Sequence, residues 1–165
     1  MDMLSTAPFP REIRLENTNA CNARCVICPR EKQTRSIGVI APELVEQIVD
    51  EARPQPISKF TVQGFGEPLL DKNFCSHLRL IKRELSCPTF SVSNASVITP
   101  ELAEELVSCG LDKIKISFYG INKREYESIH RGLTYERTVA GVNHLIQAKR
   151  AGNIADMALQ VASGI

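Results

Sequence analysis

Three cysteines, Cys21, Cys25 and Cys28, stand in a Cys-x3-Cys-x2-Cys pattern within Cys21-Asn-Ala-Arg-Cys25-Val-Ile-Cys28. On one loop, three thiolates at this spacing can converge on a single metal centre. A fourth nearby ligand would close a structural zinc site. Three without a fourth leave a coordination position free, which suits a [4Fe–4S] cluster whose fourth iron binds another group. His77, His130 and His144 lie too far along the chain to complete a zinc site locally, so a zinc knuckle stands only as the alternative. Cys75, Cys87 and Cys109 fall within or beside helical patterns and read as small buried hydrophobes.

The elements that must position these groups follow from apolar periodicity. Alternation around Ile13 and Leu15 predicts a strand over Glu12–Thr18. A helical stripe of Leu44, Val45, Ile48, Val49 and Ala52 begins at Pro42 and stops near Arg53, ahead of Pro54 and Pro56. Ser58–Gln63 reads as a second strand, and Asp71 as the cap of a helix carrying Phe74, Leu78, Ile81 and Leu85. Thr89–Ser93 is a third strand; Thr99 and Pro100 open a helix that ends at Gly110. Lys113–Phe118 is a fourth strand, followed by a polar stretch holding Tyr126 and Ile129. A helix over Tyr135–Ala151 and a fifth strand over Ala155–Ala162 complete the pattern.

Strands alternating with helices imply βαβ units and a mainly parallel sheet, either doubly wound or of the (βα)n barrel type. Both architectures place ligands at the carboxyl ends of their strands. There the chain has Gly64-Phe65-Gly66-Glu67-Pro68, where glycine permits close backbone approach and positive φ. Ser93-Asn94 follows the third strand, as a hydrogen-bonding pair or a simple turn. His77 and His144 read as surface or packing residues, whereas His130 sits beside Arg131.

With 20 Lys+Arg against 19 Asp+Glu, the net charge of +1 offers no basic excess for generic nucleic-acid binding. No apolar run reaches the ~18–20 residues of a membrane span. The first 16 residues lack the basic and apolar regions of a secretory signal, so a reducing cytoplasm is the expected setting.

The cysteine triplet after a first strand, GFGEP after a second, Ser93-Asn94 after a third and Ile116-Ser117-Phe118-Tyr119-Gly120 after a fourth together resemble the radical S-adenosylmethionine (radical SAM) superfamily. Tyr126-Glu-Ser-Ile-His130-Arg131-Gly132 is similar to a further segment of that family, and the surroundings of the cysteines resemble members with SPASM or twitch extensions. The resemblance implies a partial (βα)6 TIM-like barrel, an α/β fold here truncated after about the fifth strand. It implies a 1–10 N-terminal extension and an incomplete core over 11–165. Cys21, Cys25 and Cys28 become ligands of a [4Fe–4S] cluster, and SAM chelates the fourth iron through its amine and carboxylate.

The same resemblance implies that SAM meets Gly64, Gly66 and Glu67 through its amino group, Ser93 and Asn94 nearby, Ser117 at its ribose, and Arg131 at its carboxylate. Ile27 takes the place of the usual aromatic residue beside the adenine; Tyr119 departs from the usual Asp. Gln160 and Ser163 are weaker candidates at the barrel mouth. The implied reaction is reductive cleavage of SAM to a 5′-deoxyadenosyl radical that abstracts hydrogen from a small-molecule, peptide or sugar substrate. Its electron comes from a reductant such as flavodoxin or ferredoxin. The alternative is a non-catalytic fragment that binds an iron–sulfur cluster or zinc.

Overall fold

The computed structural model describes residues 8–152 and 157–162. Its elements alternate as β1 (Glu12–Leu15), α1 (Pro42–Ala52), β2 (Lys59–Val62), α2 (Phe74–Leu85), β3 (Thr89–Ser93), α3 (Pro100–Ser108) and β4 (Lys113–Ser117). Then come α4 (Lys123–Ile129), α5 (Tyr135–Ala151) and β5 (Ala158–Ala162), with short 3-10 turns at Pro29–Lys32 and Pro68–Leu70. All strand pairs are parallel, in the order β1-β2-β3-β4-β5. Of the two architectures left open by the sequence, this order selects the barrel type, because a doubly wound sheet reverses its order at a switch point.

Register assigns the two faces of the sheet. Leu15 pairs with Val62 and Ile13 with Phe60, and farther across Ser93 pairs with Ile116. Leu15, Phe60, Val62 and Ile116 face the helices, where Val45 and Val49 of α1, Leu78 and Ile81 of α2, Leu106 of α3 and Leu145 of α5 join them in one core, with Ile13 packed against it. The other face carries Arg14, Phe90, Val92, Lys113 and Lys115, all half-buried or exposed. Cys75, Cys87 and Cys109 are buried in the core, as the sequence suggests.

Several boundaries differ from the sequence reading. Strand β1 stops at Leu15, and Thr18 instead makes an isolated antiparallel bridge with Val39. Asn73, not Asp71, occupies the N-cap position of α2. Asp71 Oδ1 accepts from the Asn73 N–H at 2.9 Å while Oδ2 accepts from Asn17 Nδ2 at 3.0 Å, tying the turn to the exit of β1. Thr99 caps α3 as expected, its hydroxyl accepting from Leu102 N–H. The polar stretch after β4 forms the short helix α4, capped by Asn122 Oδ1 on Glu125 N–H. The first residues of the expected fifth strand, 155 and 156, lie outside the described residues, as does Ser163. Among the described residues, no helix is long and apolar enough to cross a membrane.

Opposite the site, Asp112 joins the starts of β3 and β4. Its carboxylate accepts from Thr89 N–H at 2.7 Å, Thr89 Oγ1 at 3.0 Å and Lys82 Nζ at 2.6 Å. Burial raises the carboxyl pKa, but the Lys82 and Thr89 hydrogen bonds outweigh it and hold the group below its ordinary value. Asp112→Asn should therefore cost about 1–2 kcal/mol near pH 7, kept to that size by solvent around the Lys82 pair. A depressed folded-state pKa contributes stability above the unfolded carboxylate range and loses it as pH falls through the folded value. Urea unfolding of both proteins from pH 7 to pH 3 checks this: the gap between them should close on acidification.

Candidate functional site

The carboxyl ends of β1 to β4 surround a cavity of about 300 Å³. Cys21, Cys25, Ile27 and Cys28 line it from the loop after β1, and Gly64 to Glu67 from the loop after β2. Val92, Ser93 and Asn94 contribute from β3 and its exit, Ser117 and Tyr119 from the end of β4, and His130 from the end of α4. The chain thus brings together ten of the eleven residues singled out in sequence: Cys21, Cys25, Ile27, Cys28, Gly64, Gly66, Glu67, Ser93, Asn94 and Ser117. The eleventh, Arg131, is elsewhere. Its side chain is exposed, outside the cavity wall, and its contribution is a backbone carbonyl that accepts from Arg24 N–H at 2.7 Å. Gln160 is exposed on β5.

The cysteines are half-buried free thiols. Burial first, then the proximity of Cys21 and Cys28, pushes the Cys25 thiol up to about 11. Cys21 is raised by burial as well, and the Arg30 guanidinium, anchored on the Ala23 carbonyl at 3.0 Å, opposes the rise at both. Cys21 and Cys25, drawn from water, are poorly placed as thiolates unless a cationic centre compensates them. Among the described residues, no three His, Cys, Asp or Glu side chains close on one point where a single ion would sit. The cysteines instead ring a cavity, an arrangement suited to a cluster in which each thiolate binds a different iron. Three thiols around one cavity are a donor set that fits a [4Fe–4S] group.

A polar network fixes the opposite wall. Glu67 is 3% exposed, yet its carboxylate accepts from Ser93 Oγ at 2.7 Å, Asn94 N–H at 2.7 Å and Leu69 N–H at 3.3 Å. Burial pushes its carboxyl above the ordinary value even though all three donors favour the charged form. Asn94 Nδ2 donates to Asn22 Oδ1 at 2.9 Å, and Asn22 Nδ2 donates to Ser96 Oγ at 2.8 Å. Ser93 and Asn94 therefore tie the exit of β3 to Glu67 and to the cysteine loop, a role larger than that of a turn or a lone ligand contact.

The glycines also act otherwise than expected. Among the described glycines, positive φ occurs at Gly110, Gly120 and Gly132, not at Gly64 or Gly66. Gly66 is required by close approach: a Cβ there would overlap the Thr18 carbonyl oxygen and stand 2.6 Å from that of Ala20. It packs against the backbone of the loop after β1 before any ligand is considered. Ile27, 60% exposed, and Phe65, 45% exposed, form an apolar rim.

Tyr119 and His130 are among the wall residues outside the sequence-selected set. Tyr119 offers its ring, and His130 is 1% exposed with Nδ1 at 3.4 Å from Cys25 Sγ. The available signal for His130 was its spacing from Tyr126, four positions and one helical turn away; their rings stack with centroids 4.4 Å apart.

Comparison with known proteins agrees with this geometry. The profile of the Radical SAM superfamily matches residues 15–157. A probable GTP 3′,8-cyclase of Methanocaldococcus jannaschii is 29% identical over 137 residues, covering 82% of this chain and 45% of the relative. The GTP 3′,8-cyclase of Desulforamulus reducens is 31% identical over 122 residues, covering 72% of this chain and 37% of the relative. The chain thus spans less than half the length of these relatives. Among solved structures, anSMEcpe with bound AdoMet superposes with a TM-score of 0.74 at 18% identity, covering 94% of this chain and 52% of that one. BtrN in complex with AdoMet and 2-DOIA gives 0.70 at 16% identity, covering 94% and 58%.

Proposed function

The chain belongs to the radical SAM superfamily, and on that premise we propose that its cavity holds a [4Fe–4S] cluster on Cys21, Cys25 and Cys28 beside S-adenosylmethionine. The observation that carries this reading is the common cavity: the cysteine loop and the exits of β2, β3 and β4 line one space. When bound and reduced by a flavodoxin- or ferredoxin-type donor, the cluster supplies one electron to break the C5′–S bond of SAM, giving methionine and a 5′-deoxyadenosyl radical that takes a hydrogen atom from the substrate.

The chain's own residues bind, orient and shield. The backbone of Gly64 to Glu67 receives the SAM amino group, and Ser117 its ribose. Ser93 and Asn94 hold that wall rigid through Glu67 and Asn22. Ile27 and Phe65 cover the adenine side and keep water from the reacting carbon. Arg131 is left out of this set because its side chain faces solvent.

The GTP 3′,8-cyclase relatives make a nucleotide the first substrate to try; a peptide and a sugar follow. The test is anaerobic reconstitution with iron and sulfide, then dithionite and SAM, with 5′-deoxyadenosine measured. Iron-dependent product supports the reading. A brown protein without product is a cluster-binding chain that does not cleave SAM, and a colourless zinc protein overturns the assignment.

A further inference from the structure

Cys25 Sγ faces His130 Nδ1 at 3.4 Å, across 105 positions of sequence. The other ring nitrogen settles which atom carries the proton. Tyr119 N–H donates to His130 Nε2 at 3.1 Å, and a backbone amide can only donate, so Nε2 holds the lone pair. The proton of the neutral ring is then on Nδ1, directed at the sulfur.

The ring has little freedom to leave. It is stacked between Tyr119, with centroids 5.5 Å apart, and Tyr126, at 4.4 Å. Tyr126 is itself pinned by a 2.6 Å hydrogen bond between its hydroxyl and that of Thr138. Backbone bonds flank the contact: Arg24 N–H donates to Arg131 O at 2.7 Å, and Val26 N–H to Ile129 O at 3.0 Å. Cys25 and His130 are thus the central pair of a short clamp between the cysteine loop and the end of α4.

We infer that His130 is a positioning residue that donates a hydrogen bond from Nδ1 to the Cys25 sulfur and raises the reduction potential of the cluster held there, an inference that rests on the cluster reading above. A donor aimed at a ligating sulfur draws off negative charge, and the reduced cluster, which carries one more electron, gains most from it.

The test uses reconstituted protein without SAM, its midpoint potential followed by electron paramagnetic resonance. His130→Phe keeps an aromatic ring between the tyrosines but removes the donor. His130→Gln keeps an amide that can donate. Iron content should match wild type, while the Phe cluster becomes about tenfold harder to reduce, a fall of roughly 59 mV for one electron. The Gln variant should recover part of that shift. An intact Phe cluster with the wild-type midpoint overturns the inference and leaves the cluster assignment standing. Should His130→Phe fail to fold, wild-type protein labelled with [15N]histidine decides. A 15N coupling and an exchangeable-proton coupling to the reduced cluster support the bond, and their absence overturns it. Wild-type protein that takes up no iron overturns the cluster reading itself.

Discussion

Alanine at Cys25 is expected to lower iron loading more than 100-fold and to eliminate SAM cleavage, whereas alanine at Cys109 leaves both intact. The bound rests on the hierarchy of metal sites: losing an outer-shell partner costs about 10–100-fold in affinity, so losing a ligand costs more. The six cysteines divide accordingly. Cys21, Cys25 and Cys28 are half-buried around the cavity, whereas Cys75, Cys87 and Cys109 are 3%, 2% and 1% exposed within the core. Removing one of the second group deletes a small packed sulfur, worth on the order of 1 kcal/mol, and lowers Tm by about 2–4 °C without touching the cavity. Iron and sulfide assays on all six single variants, beside thermal melts, check the division. A Cys25→Ala protein with wild-type iron, or a Cys109→Ala protein without it, would contradict it.

How much of this was legible before the structure depended on how local each cause is. Helices α1, α2, α3 and α5 repeat apolar residues on one face, and the strands alternate, so their existence follows from short windows of sequence. Helix α4 escaped because its seven residues offer only Tyr126 and Ile129 to a core; the Asn122 cap and the aromatic cluster of Phe118, Tyr126 and Tyr135 hold it instead. At the site, the cysteine spacing together with the family resemblance after each strand pointed to the cysteines, the 64–67 loop, Ser93, Asn94 and Ser117, all of which line the cavity.

What spacing cannot encode is direction and distant pairing. Arg131 and His130 are neighbours in sequence, yet one side chain faces solvent and the other is buried against Cys25. The Glu67–Ser93–Asn94 network spans 26 and 27 positions, so the carboxylate reads as a ligand contact until its donors are seen.

Gly66→Ala tests this gap between motif and cause, and its effect on the fold should exceed that of the neighbouring glycines. The added methyl group would overlap the Thr18 carbonyl oxygen and lie 2.6 Å from Ala20 O. Both are backbone atoms with no rotamer to adopt. Thr18 is held by its bridge to Val39 and by its hydroxyl on Gly38 O at 2.8 Å, so yielding there costs further bonds. If the 64–67 loop yields instead, the 2.8 Å bond from Glu67 N–H to Ala20 O is lost, and Glu67 moves away from Ser93 and Asn94. Overpacking of this kind costs about 3 kcal/mol, or roughly 6–12 °C in Tm. Gly64→Ala meets the Glu16 side chain down to its Cβ at 2.6 Å, which no rotamer moves, and disturbs the Glu16 contacts with Phe65 N–H and Arg35. It should cost about 2 kcal/mol, still less than the clash with two carbonyl oxygens at Gly66. Gly38→Ala meets nothing within 4 Å and should melt with wild type. Thermal unfolding of the three metal-free variants ranks them. If Gly66→Ala melts with wild type, then the glycine answers to a ligand and not to the backbone of the loop after β1. Because Ala20 leads directly into Cys21, the same variant should also load less iron, which couples the packing of one loop to the chemistry of the next.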